Sequence, residues 1–243
     1  MGTGLDTGWR RLTGVHRRFV QAAVAAGIML APAVSAAQAA AAQAAAATLA
    51  VDRPCYVNKP TKTGIHQAPM VVTGTGYVPG DSVTITSGDG SVNQVLQADR
   101  QGSIAGTIGA PTPFFKRPGA QVMTLTAADY SAGGPIQATT LLQVADLAVA
   151  TVPARAMPSR KVTWYFSGFL PGHSVYGHYL RHRREVARAR FGRATGPCGL
   201  LRTRALFFPG GHQRYSSYGL QFDDSRPYRP RSSPRIVTGL NTF

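Results

Sequence analysis

"GYVPGDSV", Gly76 to Val83, and "GFLPGHSV", Gly168 to Val175, read almost alike although 92 residues separate them. In Val78-Pro79-Gly80-Asp81, proline fixes φ at the second turn position. Glycine at the third accepts the positive φ that a type II turn requires. Leu170-Pro171-Gly172-His173 repeats this chemistry. The flanks have an apolar period of two. Met70 and Val72 alternate with Val71 and Thr73, and Val162, Trp164 and Phe166 alternate with Thr163, Tyr165 and Ser167. After each turn, Val83 and Ile85 flank Thr84, and Val175 to Leu180 is rich in aromatic and β-branched residues. Strand, tight turn, strand is thus written twice, and the chain reads as two copies of one small β-domain.

Fainter echoes extend the repeat. "ADRQGSIAGTI" (98–108) and "ARFGRATG" (189–196) each place a glycine turn where a hairpin should return. "QVMTLTAAD" (121–129) and "SYGLQFDD" (217–224) alternate again and finish in acid. Short strands between turn signals, in units of about a hundred residues, predict an all-β fold of two tandem sandwiches. The G-x-G-[FY]-x-P-G-x-x-V pattern of Gly74 to Val83 resembles the signature of bacterial immunoglobulin-like domains of secreted and surface proteins, actinobacterial ones in particular. The second copy has Phe166 where the first glycine stands. The resemblance implies immunoglobulin-like sandwiches serving as spacers, adhesive modules or ligand-binding platforms, and it brings no catalytic residue. Trp164 is similar to the core tryptophan of antibody-type domains, without their flanking cysteine pair.

Around these units the chain divides into a signal peptide (1–36), an Ala/Gln-rich spacer (37–47), a first sandwich (48–146) and a second (147–243). The signal reading rests on Arg10, Arg11, Arg17 and Arg18, the apolar run Phe19 to Leu30, and the small residues Val34 and Ala36. An uncleaved N-terminal anchor is the alternative, and the one route by which membrane contact is expected. Export predicts a secreted or cell-envelope location and permits disulfides. Cys55 and Cys198, the two cysteines, fall in different halves. A bridge would tie one half to the other, and the sequence leaves open whether they pair.

Charge is uneven. Residues 37–146 hold six Lys/Arg and six Asp/Glu, whereas residues 147–243 hold sixteen Lys/Arg against Glu185, Asp223 and Asp224, a net of +13. Such asymmetry speaks to partners rather than fold. The most basic stretch is "HYLRHRREVARARFGRATG" (178–196). As a hairpin turning near His182–Glu185, it puts Arg188 and Arg190 on one face and Ala187, Ala189 and Phe191 on the other. A helix over Tyr179–Phe191 is the alternative, since the stretch lacks Gly and Pro. Arg202 and Arg204 alternate with Leu201, Thr203 and Ala205 and are expected to extend the same face. The candidate anion-binding residues are therefore Arg181, Arg183, Arg184, Arg188, Arg190, Arg202 and Arg204. An anionic cell-wall polymer or another polyanion is the expected partner. A specific nucleic acid is not, although Tyr176, Tyr179 and Phe191 interleave with the basic residues.

Other motifs point to less. His178 and His182 are spaced i, i+4, but Tyr-Leu-Arg lies between them where a metalloprotease has its glutamate, so no metal site is predicted. "GDGS" (88–91) reads as a hairpin turn, and no G-x-S-x-G elbow occurs. Asp223-Asp224 reads as a strand end or a calcium-ligand remnant. The tail, 225–243, is expected to pack Tyr228 and Ile236 along an edge. The sequence thus predicts a non-enzymatic module without cofactor. The alternative is a hydrolase with a site between the domains built on His173, His178 and Asp223.

Overall fold

The repeated turns behave as their residues dictate. In the computed structural model, Gly80 and Gly172 take φ of 82° and 78°, as a type II turn demands. Their surroundings match bond for bond. Asp81 N–H donates to Val78 O, Gly80 N–H to Ala98 O, and Ala98 N–H to Asp81 O. In the second copy, His173 donates to Leu170, Gly172 to Ala194, and Ala194 to His173. Each turn is thus clamped by the strand that returns beside it.

The structure describes residues 46–130, 134–208, 217–230 and 235–241. The expected signal peptide and all but the last two residues of the expected spacer lie outside them. The elements are β1 (Thr48–Val51), β2 (Cys55–Thr61), β3 (Gly64–His66), β4 (Pro69–Thr75), β5 (Ser82–Ser87), β6 (Asn93–Gln97), β7 (Ile104–Gly109), β8 (Ala120–Asp129) and β9 (Ile136–Asp146) in the first half. The second half contains β10 (Ala148–Val152), β11 (Lys161–Ser167), β12 (Ser174–Arg181), β13 (Arg184–Arg193), β14 (Leu201–Leu206), β15 (Ser217–Asp223) and β16 (Ile236–Asn241). Tyr179–Phe191, the candidate helix, is strand in both directions.

Sheet order makes the duplication explicit. The first half pairs β1-β4-β7 in one sheet and β3-β2-β9-β8-β5-β6 in the other. The second pairs β10-β11-β14 and β13-β12-β15-β16. Removing β2 and β3 leaves the same two sheets in the same order, so both halves are immunoglobulin-like β-sandwiches. The "GDGS" stretch is the β5–β6 hairpin turn, where Asp89 Oδ1 accepts from Ser87 Oγ and from Ser91 N–H.

Alternation fills two separate interiors. Tyr56, Met70, Val72, Val83, Ile85, Ile104, Leu125 and Val144 are among the residues of the first. The second is aromatic: Trp164 packs edge-on to Phe191 and Phe222 at centroid distances of 4.9 and 5.5 Å, with Phe166, Phe207 and Tyr179 around it. Such aromatic pairs add favourable quadrupole contacts to the area they bury.

The halves join without a linker. β9 ends at Asp146 and β10 starts at Ala148, with Leu147 buried between them and its N–H donated to Asn58 O at 2.8 Å. Ser167 Oγ donates to Asp146 O at 2.6 Å. Cys55 and Cys198 form a disulfide across this junction, with Cα atoms 5.4 Å apart, in a small cluster of its own with Ala145. The pairing that the sequence left open is therefore made. β2, which runs parallel to β9 from Cys55↔Gln143 to Asn58↔Asp146, is the added strand that brings Cys55 there.

Candidate anion-binding face

The β12–β13 hairpin turns tightly on His182 and Arg183, whose φ values of 47° and 64° are both positive. Arg181 pairs with Arg184 across this two-residue turn. Twice along the hairpin the register shifts, once between Val175 and Tyr176 and once between Tyr179 and Leu180. Each shift admits one extra β13 residue, Phe191 and Val186 respectively. Ordinary alternation would send Glu185 and Arg188 to opposite faces, and the bulge at Val186 returns them to one. Inward, β13 offers Ala187, Ala189 and Phe191 to the aromatic core, while Arg188 and Arg190 are exposed on the outer face.

That outer face carries two cross-strand rows. One is Arg188, His178 and Gln221; the other is Arg190, Tyr176 and Asp223. His178, Gln221 and Asp223 are nevertheless buried, because the chain after β15 folds back as a strap, 225–229, across the sheet. Ser225 N–H donates to Asp223 Oδ1 at 2.8 Å, and Gln221 Nε2 donates to Arg229 O at 2.7 Å. His178 Nε2 lies 2.9 Å from Ser225 O and 3.1 Å from Asp223 Oδ1, and Nδ1 lies 3.4 Å from Glu185 Oε1. The Tyr228 ring caps the imidazole at 5.8 Å. Among the described residues, the three polar atoms in contact with the ring nitrogens are all acceptors, which favours the imidazolium, a donor at both nitrogens. Burial opposes the charge. The hydrogen bond and charge of Asp223, then those of Glu185, outweigh it and hold the His178 pKa above its ordinary value.

Beside the strap is an open groove of about 360 Å³ lined by Tyr176, Arg188, Arg190 and Arg226. Arg188 Nη1 donates to Arg226 O at 2.8 Å, and its Nε lies 3.8 Å from Glu185. Among the described residues, the guanidiniums of Arg190 and Arg226 have neither a carboxylate nor a hydrogen-bond acceptor. Converging guanidiniums with so little counter-charge form an anion-binding arrangement.

The structure separates the residues that the sequence grouped. Arg181, Arg183 and Arg184 crowd the hairpin tip, and Arg188 and Arg190 line the groove. Arg202 and Arg204 do not extend that face. The chain leaves β13, turns through Thr195–Leu200 and enters the opposite sheet, where β14 pairs with β11. There Arg202 stacks on Tyr165 at 5.5 Å, with Arg117 of the first sandwich on the same ring at 5.7 Å. Of the interleaved aromatics, Tyr179 and Phe191 belong to the core, and only Tyr176 reaches the groove. Of the two glycines in 189–196, Gly192 lies inside β13 and Gly196, φ 67°, lies in the turn that follows it.

The hydrolytic trio is not assembled between the sandwiches. His178 and Asp223 meet on one sheet of the second sandwich, beneath the strap, whereas His173 lies 3.5 Å from Asp224 instead. His182 stands alone of the two spaced histidines in the hairpin turn. Asp223 does end β15, but as a buried partner of His178 rather than a surface acid. Tyr228 packs on the sheet face, not along an edge, and the Ile236 side chain lies outside the described residues. Arg226, Gln221 and Ser225 carried no sequence signal, because their roles depend on the strap folding back. Tyr176 could have been found, two residues before His178 on the same strand face.

No family model and no curated protein matches the sequence. Solved structures to which the chain is distantly similar include a tetra-tandem repeat from the extending region of a large adhesion protein (13% identity, 80% of this chain and 48% of that one, TM-score 0.28). Others are the E. coli chaperone DraB (8%, 79% and 96%, TM-score 0.25) and a protein of unknown function from Porphyromonas gingivalis W83 (12%, 80% and 98%, TM-score 0.26). The chain spans about half the length of the adhesion-protein repeat. At these identities and TM-scores the likeness carries no functional argument.

Proposed function

We propose that the chain is an exported, non-enzymatic immunoglobulin-like protein of the cell envelope or extracellular space, and that its second sandwich holds a polyanion, an anionic cell-wall polymer first among the candidates. The observation that carries this reading is the β12–β13 hairpin. Five exposed arginines, Arg181, Arg183, Arg184, Arg188 and Arg190, lie along its tip and outer strand, leading into a groove edged by a sixth, Arg226. The disulfide supports an oxidising location. The resemblance of the two Pro-Gly stretches to bacterial secreted immunoglobulin-like domains supports a binding or spacing role. A face of this kind attracts its partner by Coulomb forces and by release of the partner's counterions, and both weaken with salt. Binding of the full chain to isolated wall polymer is expected at about 50 mM salt and should fall steeply by about 200 mM. Absence of binding at the lower concentration, or binding indifferent to salt, overturns the reading.

A further inference from the structure

The groove beside the strap brings guanidinium donors together from two separate parts of the chain. One guanidinium fork takes a lone pair from each oxygen of a carboxylate, and those left over lie in the same plane. Here two forks without a described partner, Arg190 and Arg226, line one space with Tyr176, and Arg188 adds charge at its edge. A tetrahedral phosphoryl group presents acceptors in several directions and matches forks that reach it from two parts of the chain. We propose that this groove is a binding site for a phosphate ester group, supplied by the phosphodiester chain of an anionic polymer. The inference rests on the polyanion reading and narrows it to one site and one ligand chemistry.

The site is divided between two parts of the chain. Tyr176, Arg188 and Arg190 come from the hairpin, whereas Arg226 comes from the strap, 36 residues beyond Arg190. The strap is held by its own carbonyls: Ser225 O faces His178, Arg226 O accepts from Arg188, and Arg229 O accepts from Gln221. These are contacts of main chain, so they place the strap while leaving the Arg226 side chain to the groove. His178 and Gln221 act as positioning residues. A groove wall docked on a buried histidine explains why a polar cluster is buried on the outer face of a sheet, where hydrophobic burial gives it no reason to be.

The test titrates the full chain with three probes: a glycerol-phosphate oligomer, polyglutamate of matched charge, and phosphatidylglycerol vesicles. The oligomer should bind, and R190Q/R226Q should weaken it about tenfold or more, the size expected for losing at least one charge-assisted hydrogen bond. R202Q/R204Q removes the same charge from the opposite sheet and should change affinity less than about threefold, as general screening predicts. Equal loss in both double variants overturns the groove while leaving the polyanion reading intact. Equal affinity for polyglutamate overturns the phosphate assignment, and capture by vesicles alone overturns the polymer as its source. Failure of all three probes at low salt overturns the site and the polyanion reading together. Circular dichroism of each variant, all exposed Arg→Gln changes, shows that the fold is retained.

Discussion

Replacing Cys55 and Cys198 together by alanine removes the covalent tie across the junction while leaving both sandwich cores untouched. The bond spans 143 residues. If both sandwiches unfold together, closing a loop of that size restricts the denatured chain by about 5 kcal/mol in the chain-entropy treatment. If the second sandwich unfolds alone, β2 and β9 stay paired and hold Cys55 in place. The free loop is then only the roughly 50 residues from Asp146 to Cys198, and the restriction falls to about 4 kcal/mol. Either way the loss is a large fraction of the stability of a domain. It corresponds to a fall in melting temperature of about 10 to 20 °C if both sandwiches unfold together, and of about 16 to 32 °C if the second unfolds alone. Alanine rather than serine is the substitution to use, because Cys198 is buried and a new hydroxyl would add its own desolvation cost. Thermal and denaturant unfolding of the oxidised protein, the reduced protein and the double variant should agree on this loss. Near-UV circular dichroism should keep the Trp164 signal below the transition, since that tryptophan packs in the second interior, apart from the bridge. A loss below about 1 kcal/mol would mean that the bond restrains a denatured chain already held together at the junction, and the reasoning would fail.

Three further predictions use the same geometry. Gly168 has φ of 80°, and a Cβ there would sit 2.6 Å from Val57 Cγ1 and 2.8 Å from Leu147 Cα, whereas Gly172, φ 78°, has open space around it. Gly172→Ala should therefore cost only the conformational term of about 1 kcal/mol, and Gly168→Ala about 3 kcal/mol or more because it also pushes on the junction; equal costs in urea unfolding refute the distinction. His182→Asn with Arg183→Gly should stabilise the protein by about 1 kcal/mol, because both positions take positive φ that their present side chains tolerate poorly; a lower denaturation midpoint would count against the turn assignment. His178 has a raised folded pKa, so its contribution is complete below the unfolded value of about 6.5 and is lost as pH rises through the higher folded value. An NMR titration placing that imidazole at or below 6.5 contradicts the charged arrangement under the strap.

Which parts of this were readable in advance follows from the range of each interaction. Pro79-Gly80 and Pro171-Gly172 announce their turns because the restriction is written into each residue's own backbone. Val162, Trp164 and Phe166 announce a buried strand face because alternation needs no knowledge of what lies opposite. Arg188 and Arg190 were legible on one face for the same reason. Arg202 and Arg204 were misplaced because the chain crosses to the other sheet between Thr195 and Leu200, and alternation cannot say which sheet a strand joins. Glu185 gave no sign of sharing a face with Arg188, since the register shift depends on β12.

Chain-local chemistry therefore determined the two sandwiches, their turns and the surplus of arginine in the second. Folding alone decided that Cys55 meets Cys198, that His178 and Asp223 are sealed under residues 225–229, and that Arg226 closes a groove with Arg188 and Arg190. Those contacts join segments tens of residues apart or more. Their energies depend on positions set by the packed sheets, which no neighbouring residue encodes.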